Sequence, residues 1–104
     1  MTEAHPRHSL DPLIHRPVAL SIVAALDAVD EADFATVRDL VLVSDSTLSK
    51  QVAALEAAGY VAVRKTFVGR RGKTYLSMTP AGRNAFRAHM DALLKIAGRT
   101  ARST

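Results

Sequence analysis

Apolar positions recur at helical spacing along most of this chain and alternate in one stretch near its middle. From Pro17 through VALSIVAALDAV, Leu20, Val23 or Ala24, and Leu26 mark a helical period, with Ile22 and Val29 also available for burial. Asp11-Pro12 ahead of it reads as a capped turn, and Pro17 prevents one long helix from residue 12. Asp27, Asp30, Glu31 and Asp33 then break the apolar pattern. Phe34 leads into residues 35–42, ATVRDLVL, a short helix expected to turn Val37, Leu40 and Val41 inward. VSDSTLSKQVAALEAAG follows with the clearest helical signal: Ser44 as N-cap, Asp45 in the first turn, a stripe of Leu48, Val52 and Leu55, and Gly59 as the stop.

After Gly59 the period changes to two. YVAVRKTFV and KTYLSM read as strands joined through Gly69–Gly72, with Val61, Val63, Tyr75 and Leu76 expected to pack on the helices. Thr79-Pro80 starts a last helix over residues 80–98, carrying Phe86, Met90 or His89, Leu93 and Ala97 on one face. Leu94 and Ile96 widen its apolar surface. Residues 1–10 and 99–104 are polar and read as an arm and a tail around one domain, 11–98. The expected fold is α+β, a helix-turn-helix followed by a hairpin, with an N-terminal helical segment and a long C-terminal helix.

Charge changes the picture more than composition does. The net charge of the 104 residues is +4, but residues 1–56 sum to −5 and residues 57–104 to +9. Such asymmetry points to an anionic partner for the second half. With no cysteine, disulfides and thiolate metal sites are excluded. His5, Arg7, His8 and Asp11 interrupt any signal-peptide core, so a cytoplasmic location without membrane association is expected.

Two helices separated by Leu42-Val43-Ser44 suit a helix-turn-helix, whose second helix enters the DNA major groove. The helical projection puts Ser46, Lys50, Ala53 and Ala57 opposite the buried stripe, a face of small side chains and one lysine that permits close approach. Ser46 and Lys50 are best placed for base edges, whereas Thr47, Ser49 and Gln51 suit phosphates at least as well. In the hairpin, "FVGRRGKTY" supplies Arg70 and Arg71 for a narrow minor groove and Lys73 for the flanking backbone. Enzyme motifs are absent: there is no phosphate-binding glycine loop, HExxH or nucleophile elbow. The acids at 27, 30, 31 and 33 lack calcium-loop spacing, and the histidines at 5, 8, 15 and 89 form no recognisable ligand set; no cofactor or metal is expected. An acidic protein partner on the same basic hairpin is the competing reading.

The chain also resembles the winged-helix regulators related to the MarR and ArsR groups, in particular their small single-domain branch. "DPLIHRPVALSIVAAL", "DFATVRDLVLVSDSTLSKQVAALEAAGYV" and "KTFVGRRGKTYLSMTPAGRNAF" carry the resemblance over about residues 11–90. It implies recognition-helix contacts from Ser46, Thr47, Ser49 and Lys50, and wing contacts from Arg70 and Arg71. It further implies a homodimer that represses transcription from a pseudo-palindromic site on double-stranded DNA. The last helix offers more apolar surface than one stripe needs, so Met90, Leu93, Leu94 and Ala97, helped by Leu13 and Ile14, are the expected interchain face. A small-molecule effector could occupy a cleft between helices, although no convergent polar set in the sequence identifies one.

Overall fold

Capping residues set the element boundaries in the computed structural model, which describes residues 4–102. Pro17 occupies the first turn of α1 (Pro17–Asp27), where a missing N–H breaks no helical bond. Ahead of it the Asp11 Oδ1 accepts from the N–H groups of Leu13 and Ile14 at 2.9 and 3.1 Å, closing a turn. β1 (Ala32–Asp33) runs directly into α2 (Phe34–Val41), and α3 (Asp45–Ala57) follows. Ser44 caps α3, its Oγ accepting from the Thr47 N–H at 3.1 Å. At the other end Gly59 adopts φ +81°. The Gly59 and Tyr60 N–H groups donate to the carbonyls of Glu56 and Leu55, both at 2.9 Å, which completes a Schellman motif. The hairpin β2 (Val61–Val68) and β3 (Arg71–Met78) precedes α4 (Pro80–Arg102).

The sheet is antiparallel in the order β1-β3-β2. β1 lies inside the acidic segment that reads as an interruption, because two residues are too few to display a period. Register sorts the hairpin into two faces: Val61 opposite Met78 and Val63 opposite Leu76 on one, Arg64 opposite Tyr75 on the other. Leu76 is fully buried, so its neighbour Tyr75 points away from the helices, contrary to expectation. There the Arg64 guanidinium lies 4.4 Å from the Tyr75 ring centroid and bonds Glu31 through two nitrogens.

The core forms where α1 (Ala19, Ile22, Val23, Leu26), α3 (Leu48, Val52, Leu55) and the inner hairpin face meet. Each large side chain buried there contributes about 1.5–3 kcal/mol, against about 0–1 kcal/mol for an exposed ion pair such as Lys95–Asp91. Packing of α3 on the sheet therefore outweighs the surface charges in holding the fold. Val37 is buried in α2, but Leu40 is 65% exposed. Leu40 lies about 60° round the helix from Val37, on the side away from Val41, and there it meets solvent rather than the core. Val29, beyond the end of α1, is also largely exposed.

α4 continues through Gly98 to Arg102, past the expected end, since a glycine weakens a helix by about 1 kcal/mol without breaking it. At the N-terminus Pro6–Ser9 form a 3-10 turn with Pro6 buried, and this turn packs on α4. The resulting shape is elongated, 61 × 24 × 21 Å. Among the described residues no helix is long and apolar enough to cross a membrane.

Candidate nucleic-acid interface

The α2–α3 unit is held by its turn and by one arginine. Leu42 takes a left-handed conformation, φ 57° and ψ 53°, and its N–H donates to the Arg38 carbonyl at 3.0 Å. The Arg38 side chain bonds Asp45 at 2.9 Å, tying the end of α2 to the first turn of α3. Asp45 there also complements the exposed N–H groups of α3.

Along α3, Ser46, Ser49 and Lys50 are exposed. Thr47 is half-buried, and its Oγ1 lies 3.0 Å from the Ser44 Oγ within the cap. Gln51 is half-buried as well, and its Oε1 is enclosed by protein without a hydrogen-bond partner among the described residues. The two side chains thus differ in setting from the open Ser46–Lys50 face.

The hairpin tip is a two-residue turn. Gly69 has φ +63° and Arg70 is not among the positive-φ residues, the signature of a type II′ turn that matches the twist of the flanking strands. Gly72 lies in β3 opposite Phe67 and takes no part in this turn, which differs from the expected Gly69–Gly72 connection. Arg70, Arg71 and Lys73 are exposed, and no ion pair engages them among the described residues. Between Glu56 and Asp91 the sequence has no acid; the acids set against the hairpin come from outside it, with Glu31 pairing with Arg64, Asp33 interacting with Lys73 and Glu56 bordering the same groove as Lys65. Pairing with Arg64 holds the Glu31 carboxyl below its ordinary range.

α3 and the hairpin border a groove of about 610 Å³. Ser49, Ala53 and Glu56 form one bank; Val63, Lys65 and Thr74 form the other, with Val52, Leu76 and Phe34 also lining it. Lys65 and Thr74 escaped the sequence-based site. They pair across the hairpin on the face shared with Val63 and Leu76, and that placement depends on a register the sequence leaves open. Strict alternation from Val61 and Val63 was the one available signal for Lys65.

The end of α3 is anchored as firmly as its start. The Thr79 Oγ1 donates to the Gly59 carbonyl at 2.6 Å and accepts from the Gly82 N–H at 2.9 Å. The Thr79 N–H donates to the Tyr60 carbonyl at 3.1 Å. Tyr60 donates its hydroxyl to the Asp11 Oδ2 at 2.6 Å, and the Asp11 N–H donates to Nδ1 of the fully buried His89 at 3.0 Å. Burial alone would raise the Asp11 pKa, but the hydrogen bonds from Tyr60, Ile14 and Leu13 prevail and hold the carboxyl below its ordinary value.

Of the expected interchain residues, Leu94 is 68% and Met90 36% exposed, Ala97 is exposed and Leu93 half-buried. Ile14 is corrected: it is fully buried in the protomer's own core, so it presents no surface to a second chain. Leu13 is half-buried against the same core. Phe86 also packs there.

Comparison with known proteins agrees with this architecture. An uncharacterized protein of Methanocaldococcus jannaschii is 27% identical over 79 residues, covering 76% of this chain and 86% of that protein. A transcriptional regulator homologue from Pyrococcus horikoshii superposes with a TM-score of 0.79 at 20% identity, over 85% of this chain and 87% of that one. The YusO protein of Bacillus subtilis gives 0.81 at 19% identity, over 96% and 70%. A MarR-family transcriptional regulator from Silicibacter pomeroyi gives 0.65 at 25% identity, over 92% and 64%. The fold is thus a winged helix-turn-helix related to the MarR superfamily of regulators. Residues 18–97 match the model of the winged helix DNA-binding domain, and the chain belongs to that family.

Proposed function

We propose that this protein is a sequence-specific regulator of transcription that binds double-stranded DNA as a homodimer and represses from a pseudo-palindromic site. One observation carries the reading: Ser49 and Ala53 on the small, exposed side of α3 and Lys65 of the hairpin border the same groove, with Arg70, Arg71 and Lys73 exposed further along the hairpin. With α3 in a major groove and the hairpin reaching the adjacent minor groove, the intervening strand would follow this groove. Ser46 and Lys50 would then read base edges, Ser49, Lys65 and Thr74 would hold the strand's phosphates, and Arg70 and Arg71 would enter the minor groove with Lys73 on the flanking backbone.

Surface area supports the dimer. A compact chain of this size exposes about 5,700 Å², whereas this one exposes 6944 Å². The excess includes the apolar side chains of Met90 and Leu94 on α4. A homodimer through this helix would cover them and present two copies of α3 to half-sites about one helical turn apart.

Gel-shift titration with genomic fragments at several salt concentrations tests the proposal. A regulator shifts a subset of fragments, with affinity falling as salt rises. A folded protein that shifts none of them at low salt would reject it, and capture of an acidic protein by the same hairpin would then take its place.

A further inference from the structure

Phe67 and Val68, beside the hairpin tip, are 75% and 62% exposed, the only large apolar side chains of the described residues that expose such area next to unpaired cations. Phe67 stands opposite Gly72, which offers no side chain to cover it; a Cβ added there would lie 3.9 Å from the Phe67 Cε1. Most of the ring's surface is therefore left open to solvent. Alternation places Phe67 on the same face as Val63 and Lys65, the face that borders the groove against α3. Val68, paired with Arg71, lies on the opposite face.

We infer that Phe67 is an apolar DNA contact, packing its ring on the deoxyribose faces of the strand that runs between α3 and the hairpin. The inference rests on the DNA-binding reading above and adds a contact of a different kind to it. Residues 65–75 contain four cations and no acid, so the hairpin's charge selects a polyanion as the occupant of this surface. Sugar faces are the apolar part of that polyanion, and they alternate with the phosphates that Lys65, one pleat nearer the core, is positioned to meet. Arg70, at the apex of the turn, goes deeper, while Phe67, further down the strand, meets the groove wall. This contact releases no counterion, so it adds affinity that salt does not screen.

The test measures binding of one selected duplex by fluorescence anisotropy over a range of salt concentrations, for the wild type, Phe67→Ala, Phe67→Leu, and Arg70→Ala combined with Arg71→Ala. Phe67→Ala is expected to weaken binding by roughly tenfold or more, the loss of one buried aromatic contact, with the slope of log K against log salt unchanged. Phe67→Leu recovers part of the loss, and the arginine pair lowers the slope. Thermal melts establish that the exposed-site variants remain folded. Wild-type affinity in Phe67→Ala, or a slope changed as much as in the arginine variant, overturns the inference while leaving the DNA-binding reading intact. A change in oligomeric state in Phe67→Ala also overturns it, assigning the ring to a protein contact. If the wild type binds no duplex, it is the parent reading that fails.

Discussion

The proton on His89 can be placed from its neighbours. Because the Asp11 N–H donates to Nδ1, that nitrogen carries a lone pair, and the neutral ring bears its hydrogen on Nε2, 3.3 Å from the His15 Nδ1. A second proton would have to displace the Asp11 donor. Burial, and next the neighbouring His15, lower the His89 pKa against the pull of the Asp11 carboxylate. The folded protein then binds fewer protons than the unfolded chain, so stability is full above the ordinary histidine value of 6.5 and declines as pH falls through it. Asp11, also lowered, removes further stability in stronger acid, as pH falls through its depressed value. Urea titrations between pH 8 and pH 5 should show this decline in the wild type and a flatter profile in His89→Asn, which keeps an acceptor near Nδ1 but does not titrate; equal profiles would contradict it. Leu42 presents the opposite kind of site. It is 87% exposed and left-handed, a conformation that disfavours a side chain by about 1–2 kcal/mol. Leu42→Gly should therefore raise stability by about 0.5–1 kcal/mol in chemical denaturation, after the added flexibility of the unfolded chain is subtracted.

Helix ends carry the next level of organisation, because α3 is positioned by what grips its termini. At Gly82 a Cβ would fall 2.1 Å from the Tyr60 carbonyl oxygen, so the first turn of α4 sits directly on the backbone that ends α3. Gly82→Ala must push these elements apart and should destabilise the protein by about 1–3 kcal/mol, with DNA affinity falling more than stability alone explains. Arg83, one residue on, bonds the carbonyls of Asp27 and Val29 at 3.0 and 2.9 Å and so fixes α4 against the end of α1. The helix starts at Ser44 and Thr79 and the stop at Gly59 were readable in the sequence because each depends on the chemistry of one residue. The hairpin faces were not. Whether Tyr75 or Leu76 turns inward depends on a one-residue register, and the groove role of Lys65 and Thr74 follows from the same choice. Likewise two glycines were available for the tip, but only the first position of a type II′ turn requires positive φ, which selects Gly69. The II′ turn exposes Arg70 and Arg71 together, so replacing both with alanine should lower the salt slope of DNA binding by about 1–2. An unchanged slope would mean that the hairpin does not reach the duplex.

At the level of the whole molecule, the chain is 61 Å long and leaves Met90 and Leu94 of α4 exposed, apolar area that the proposed homodimer would cover. Met90→Asp combined with Leu94→Asp should convert the proposed dimer to a folded monomer by light scattering, and should weaken binding to a two-half-site duplex far more than to a single half-site. Retention of the dimer would move the interface elsewhere. In the proposed complex, two copies of α3, each followed by its hairpin, engage one face of a duplex. Hydroxyl-radical footprinting on a selected duplex tests this most directly. It should show two symmetric patches of protection with α3 contacts about one helical turn apart, each bordered by a protected minor-groove edge that opens in the Arg70→Ala, Arg71→Ala variant. A single patch, or uniform protection unaffected by the variant, would contradict it.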